Sequence, residues 1–199
     1  MKHGLLAMIL AGGLLAACTN ATLVSGNAPT IIGNAITVIP AIGWNRFGEG
    51  TSEVWTVDGP MLEQLRFMAG LSDGDTAIIP SPDKNPTFAT SGLDTDKAPR
   101  FRKGMILPEV KEFFEGVLAF ADAQRPKVEN VRPEPFAGQP GFAFDFSFTS
   151  KNGLDFKGFG RGTIKNDKLY LVTYHGTRLR YFDMYRKDAE TVIGSARFL

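Results

Sequence analysis

The sequence predicts an α+β fold, an antiparallel β-sheet flanked by helices, and three observations carry that expectation. In Phe142-Ala143-Phe144-Asp145-Phe146-Ser147-Phe148-Thr149 a phenylalanine takes every second position, so on a strand all four rings share one face. Two more strand-like runs follow, separated by short turns, as in antiparallel hairpins. Helical spacing of apolar residues appears on both sides of this block: Val110, Phe113, Phe114, Val117 and Leu118 before it, Phe182, Tyr185, Ala189, Val192 and Ile193 after it. Consecutive strands with helices at either end make α+β, not an alternating α/β chain.

Taken in order, Val38 to Trp44 reads as a strand that Pro40 confines to an edge or a bulge. Ser52 to Val57 reads as a second, rich in β-formers, after the turn Gly48-Glu49-Gly50. Asp58-Gly59-Pro60 is fit to start a short helix over Met61 to Met68, ended by Gly70. Asp73 to Arg102 is loop-like, punctuated by Gly74, Pro80, Pro82, Pro86, Gly92 and Pro99. Pro108 opens a helix over Glu109 to Ala121, with Lys111, Glu112 and Glu115 facing outward. After Phe142–Thr149, the run Leu154 to Ile164 is the next strand. Its apolar parity breaks at Phe159, which predicts a bulge at Gly158. Past the turn Asn166-Asp167, Lys168 to His175 is apolar on both parities, as a central strand is. The last helix runs from about Leu179 to Ile193.

The start of the chain carries an address. Met1-Lys2-His3 precedes a nearly uncharged apolar run from Gly4 to Leu15, too short to span a bilayer, which wants roughly 20 apolar residues. Leu15-Ala16-Ala17-Cys18 then follows, and Cys18 is the only cysteine. An aliphatic residue, two small residues and a cysteine form the lipobox, so the chain resembles a bacterial lipoprotein precursor. That resemblance implies a signal peptide over 1–17, lipid on Cys18 and anchoring to a membrane by more than one acyl chain, which holds stably where one does not. Thr19 stands where an aspartate would imply inner-membrane retention, which favours the periplasmic face of the outer membrane. Thr19 to Thr30 is small and polar and reads as a flexible tether, giving 18–30 as lipidated residue plus tether and 31–199 as a single globular domain.

Charge excludes some functions. The chain has 22 Lys+Arg and 21 Asp+Glu, and loss of Lys2 with the signal balances them. No basic footprint for nucleic acid remains. A domain of this size buries about 70% of its unfolded surface and does not depend on disulfides.

Candidate chemistry is sparse. His175 is the one histidine outside the signal segment. A zinc site needs three or four His, Cys or carboxylate ligands, so no metal and no cofactor is expected. Asp73-Gly74-Asp75 and Asp94-Thr95-Asp96 lack the rest of a calcium loop. No Gly-x-Ser-x-Gly elbow occurs. His175 could act as a general base only beside a carboxylate such as Asp155 or Asp183, and no catalytic residue is assigned. Gly158-Phe159-Gly160-Arg161-Gly162 leads into a strand, not a helix, so it is no phosphate loop, though Arg161 could meet an anion. Tyr170, Tyr174, Tyr181 and Tyr185 fall close together in sequence. Such residues line interfaces as readily as they fill cores. The candidate ligand or partner surface is therefore Arg161, Tyr174, His175, Tyr181 and Tyr185.

With these motifs in hand, the segment Gly141 to Phe198 resembles the end of a Mog1/PsbP-type domain. The matching features are the hairpin with Gly160-Arg161-Gly162, the strand Leu169-Tyr170-Leu171-Val172-Thr173-Tyr174, an aromatic-rich helix and the terminal Ser195-Ala196-Arg197-Phe198. The resemblance implies an α/β/α sandwich and a non-catalytic binding or assembly role. The expected function is thus a lipid-anchored periplasmic interaction or assembly factor whose partner is an envelope protein. The alternatives are a small-molecule or lipid carrier with a pocket lined by Phe142 to Phe148, and a hydrolase using His175.

Overall fold

The computed structural model describes residues 21–48, 50–77 and 95–199. Its elements in chain order are β1 (Thr22–Val24), β2 (Thr30–Ile32), β3 (Ile36–Val38), β4 (Trp44–Phe47), β5 (Ser52–Thr56) and β6 (Glu63–Leu71). A 3-10 turn (Thr95–Lys97) precedes α1 (Leu107–Phe120). Then come β7 (Gln124–Pro133), β8 (Phe142–Thr149), β9 (Asp155–Lys165), β10 (Lys168–Thr177), α2 (Tyr181–Gly194) and β11 (Arg197–Phe198). Eight strands form one antiparallel sheet in the order β1-β4-β5-β6-β10-β9-β8-β7, and β11-β3-β2 form a small second sheet. Helix α1 covers one face of the large sheet through Phe113, Phe114, Val117 and Leu118. Helix α2 and the small sheet cover the other through Phe182, Ala189, Val192, Ile193, Ile32 and Ile36. The α+β expectation holds, as a three-layer sandwich.

The phenylalanine strand explains the glycine strand beside it. Strands β8 and β9 pair with Phe142, Phe144 and Phe146 opposite Gly162, Gly160 and Gly158. Each ring lies over its glycine: a Cβ on Gly160 would stand 2.6 Å from Phe144 Cζ, and one on Gly158 2.4 Å from Phe146 Cζ. Helix α1 closes this layer from above, with Phe114 centred 4.9 Å from Phe144 and 5.0 Å from Phe146. The glycines are the floor of an aromatic layer, and register runs unbroken through Gly158 to both neighbours. The predicted bulge there is absent, because ring clearance and not an extra residue is what Gly158 supplies.

Three other expectations are corrected. The helix predicted over Met61–Met68 is the central strand β6, whose Leu65, Phe67 and Ala69 face α2 while Met68 faces α1. Burial on both faces overrides the helical propensity of Glu63, Gln64 and Arg66. The strand predicted over Val38–Trp44 is two strands in different sheets, split where Pro40 turns the chain and accepts a hydrogen bond from Asn27 N at 2.7 Å. The tether expected up to Thr30 is folded from Thr22 onward: β1 pairs with β4 and buries Val24, and Thr30 opens β2. The sequence also hid the edge strand β7. Its Pro126, Pro133 and two register shifts blunt an edge that would otherwise invite pairing.

Helix α1 starts where predicted. Glu109 accepts the N–H of the preceding Ile106 at 3.0 Å, half of a capping box, and Pro108 sits in the first turn. Glu115 reaches across to accept Val128 N at 2.8 Å, tying α1 to β7. Cys18 and most of the predicted 73–102 loop lie outside the described residues.

Candidate functional site

Consecutive residues on a strand face opposite ways, and β10 shows the consequence. Tyr174 points into the α2 layer and donates to Tyr181 O at 2.7 Å, with burial raising its pKa. His175 points into the α1 layer, ringed edge-on by Phe146, Phe148 and Phe156 at 6.2, 5.4 and 5.6 Å. Burial, then the charge of Arg66, pulls its pKa down to about 3, so it is neutral at any ordinary pH. The described residues place no carboxylate against it, and neither Asp155 nor Asp183 serves it. This is the setting of a packed aromatic, not of a general base.

The other predicted site residues are dispersed. Arg161 pairs with Glu134, which also takes Arg132 at 3.2 Å. Tyr185 is half-buried and donates to Asp58 Oδ2 at 2.6 Å, a bond that heads the causes pushing its pKa up to about 12. Tyr181 starts α2 with Arg180 over its ring. Tyr170 sits at the far end of β10, edge-on to Phe198 at 4.8 Å. One continuous aromatic surface does not form: Tyr170 and Tyr174 share the α2 face of the sheet but lie four residues apart along β10, Tyr174 is buried beneath α2, and His175 faces the opposite layer. Trp44 and Trp55 are fully buried.

Sequence reasoning passed over two buried charged groups because it assigned their segment to a helix. Glu63 Oε1 accepts Thr56 Oγ1 at 2.5 Å, Val57 N at 2.6 Å and Asp58 N at 3.0 Å, holding the β5–β6 turn. Desolvation nonetheless raises its pKa above the usual carboxylate value. Arg66 donates to Ala77 O at 2.7 Å, and burial lowers its pKa to about 10. Asp73 and Asp75 spend their carboxylates on turn N–H groups of Lys103 and Ser72. Among the described residues no three His, Cys, Asp or Glu side chains converge as a metal site would need.

The space between α1 and the sheet, bounded by Phe114, Leu118, Phe146, Arg66 and His175, is about 20 Å³. That is room for one water, where small-molecule sites run to roughly 300–1,000 Å³. A larger depression of about 390 Å³ beside α2 is open to solvent and lined by Asp145, Lys157, Arg178 and Arg186. Two of its cations are taken up, by Lys157–Asp183 at 3.1 Å and Arg186–Glu190 at 2.8 Å, and Arg178 is in no ion pair among the described residues.

What remains is one end of the sheet. Thr177 N donates to Leu62 O and Arg178 N to Asp155 O, so the β10–α2 turn lies between the start of β6 and the start of β9. Leu179 on that turn is 97% exposed, with exposed Met61 and Leu154 on the flanking segments. Arg178 and Arg180 bracket Leu179, and neither is in an ion pair among the described residues. The tip is thus apolar and flanked by two cations.

The architecture is that of PsbP-type proteins. The solution structure of cyanobacterial PsbP (CyanoP) from Synechocystis sp. PCC 6803 superposes with a TM-score of 0.54 at 16% identity, covering 94% of this chain and 96% of that one. The crystal structure of LpqN, involved in cell envelope biogenesis of Mycobacterium tuberculosis, is a looser match, with a TM-score of 0.43, 13% identity and coverages of 89% and 90%. No protein-family profile and no curated protein matches the sequence. No helix of the described residues is long and apolar enough to cross a membrane.

Proposed function

We propose that this chain is a bacterial lipoprotein, cut before Cys18, lipidated there and held at the periplasmic face of the outer membrane, where it binds an envelope protein and catalyses nothing. The address rests on Leu15-Ala16-Ala17-Cys18 behind a short apolar run. The binding role rests on one observation: Leu179, almost fully exposed between Arg178 and Arg180, with Met61 and Leu154 beside it. Its chemistry selects a partner that offers an apolar socket rimmed by carboxylates. A packed interior, with His175 neutral among phenylalanines, supports this reading over the carrier and the hydrolase.

The test places a photo-crosslinking residue at Leu179 in cells, with the same residue at the exposed Leu23 as control. The reading expects one discrete protein adduct from position 179, lost when Arg178 and Arg180 are both replaced by Glu. Identical adducts from both positions, or an adduct indifferent to charge reversal, would refute it. A small molecule retained in equimolar amount by the purified protein would favour the carrier. Cys18→Ser should abolish lipid attachment and membrane fractionation together.

A further inference from the structure

We infer that Met61 and Met184 are oxidation sites that switch the Leu179 surface off, conversion of these thioethers to sulfoxides releasing the partner bound there. The inference rests on the docking reading of that surface and adds to it how binding is regulated. Four methionines follow the segment read as a signal peptide, at positions 61, 68, 105 and 184. Met68 is buried in β6, and Met105 is half-buried against the α1 layer. Met61 and Met184 are 59% and 42% exposed. With Cys18 taken by lipid, these two are the most accessible sulfur atoms among the described residues.

Both stand beside the Leu179 turn. Met61 lies in the β5–β6 turn between two anchors. On one side of it Asp58 accepts Tyr185 Oη of α2 at 2.6 Å. On the other Leu62 O accepts Thr177 N, two residues before Leu179, at 2.9 Å. Met184 lies in the first turn of α2, its N–H donating to Arg180 O at 3.1 Å. Three residues after Tyr181, it shares that residue's side of the helix, as does Tyr185, which reaches the β5–β6 turn. Helical side chains tilt towards the helix N-terminus, which here directs Met184 towards Arg180 and Leu179.

Unbranched, polarisable thioethers suit an adaptable apolar docking surface, and oxidation reverses that. Hypochlorous acid transfers one oxygen atom to the sulfur. An S–O bond forms, the sulfur gives up two electrons, and chloride and a proton leave. The sulfoxide is polar and chiral, and an apolar socket that accepted Leu179 with its methionine neighbours would have to desolvate it. A methionine sulfoxide reductase, drawing two electrons from a thiol, returns the thioether and releases the oxygen as water. Buried Met68 keeps the fold out of this cycle, so the surface changes while the core does not.

The experiment uses the full-length protein in isolated cell envelopes, with the photo-crosslinking residue at position 179. A limiting dose of hypochlorous acid is quenched with free methionine before illumination, and mass spectrometry reads sulfoxide at each of the four methionines. Positions 61 and 184 should be oxidised several-fold faster than 68 and 105, and the 179 adduct should fall several-fold in step. Treatment with the two sulfoxide reductases, one for each epimer, should restore it. Met61→Leu combined with Met184→Leu should keep the parent's unfolding midpoint and its adduct, and keep that adduct after oxidant. Oxidation no faster at 61 and 184 than at 68 overturns the modification sites. Complete modification with an undiminished adduct, or an equal loss in the doubly substituted variant, overturns the switch and leaves the docking reading intact. No adduct from untreated envelopes refutes the docking reading, and the switch with it.

Discussion

Replacing Gly160 by alanine tests the claim that the glycines of β9 exist to floor the phenylalanine layer. In an ordinary strand the change stabilises, since glycine in an element interior costs about 0.5–1 kcal/mol relative to alanine. Here the new Cβ would lie 2.6, 2.9 and 3.1 Å from Cζ, Cε2 and Cε1 of Phe144. Relaxed carbon contacts sit at about 3.5–4.0 Å, so the ring must retreat by nearly 1 Å. It has nowhere to go: Phe144 is fully buried and the Phe114 ring packs against it, tilted, at 4.9 Å. Overpacking of this kind costs about 1–3 kcal/mol, which exceeds the backbone gain and leaves a net loss of about 1–2 kcal/mol. For a chain of this size that lowers Tm by roughly 3–6 °C. Thermal unfolding of the purified full-length protein, followed by near-ultraviolet circular dichroism, reads it. Combining Gly160→Ala with Phe144→Leu should recover about 1 kcal/mol relative to the sum of the single changes. Gly194→Ala, where a Cβ meets nothing within 4 Å, is the control and should be neutral or slightly stabilising. A Gly160→Ala variant as stable as its parent, or strict additivity with Phe144→Leu, would refute the reasoning.

Three further outcomes are expected. His175 is neutral when folded and titrates near its ordinary value when unfolded, so unfolding takes up a proton once pH drops below about 6.5. Stability should therefore fall as pH drops from about 6.5 towards 3, by up to about 1.4 kcal/mol per pH unit from this group, and His175→Gln should make urea midpoints over that range less steep. Glu63 has its pKa raised in the fold, so its contribution is complete below the unfolded value and is lost as pH rises through the folded one. Glu63→Gln should remove that downward slope, whereas Glu63→Ala, which strands the N–H groups of Val57 and Asp58, should cost about 2–4 kcal/mol at pH 5 in the same urea titration. Arg178→Glu with Arg180→Glu should leave the unfolding midpoint within about 0.5 kcal/mol of the parent, since both side chains are exposed, and a larger shift would mean that the turn is structural.

The second half of the fold was legible because its signals are local. Alternating phenylalanines fix the face of β8, the Asn166-Asp167 turn fixes the hairpin, and both helices show their period in contiguous residues. The first half was not, for a reason visible in β6. Glu63-Gln64-Leu65-Arg66 has the composition of a helix, and only the neighbours β5 and β10, remote in sequence, make it a strand with its charged groups inside. The edge strands failed differently. Strand β1 has three residues and β7 carries two prolines, so each exists by pairing and not by propensity. The same distinction governs the site. Tyr174 and His175 are adjacent in sequence, yet strand alternation puts them in opposite layers. Leu179, Met61 and Leu154 come from separate segments and share one end of the sheet only because three strand ends do.

That contrast bears on function. Among the described residues the groups best suited to chemistry are committed to the fold: His175 fills an aromatic cage, Glu63 fastens a turn, and Arg161 is paired with Glu134. Burying Glu63 and Arg66 taxes stability unless each is bonded, and both are, to groups of the β5–β6 turn and of Ala77. Groups committed in this way hold the fold together, and the space beside His175 is about 20 Å³. The described surface offers instead an apolar tip, Leu179, between Arg178 and Arg180, neither of which is in an ion pair among the described residues. If Cys18 carries lipid as proposed, the residues between it and Thr22 limit how far that tip can stand from the bilayer. Inserting flexible residues between Cys18 and Thr22 should then leave lipidation and folding intact and weaken the position-179 crosslink, if the partner is itself fixed in the envelope. An undiminished crosslink with a long insert would show that the partner is free to diffuse and that distance from the membrane carries no part of the function.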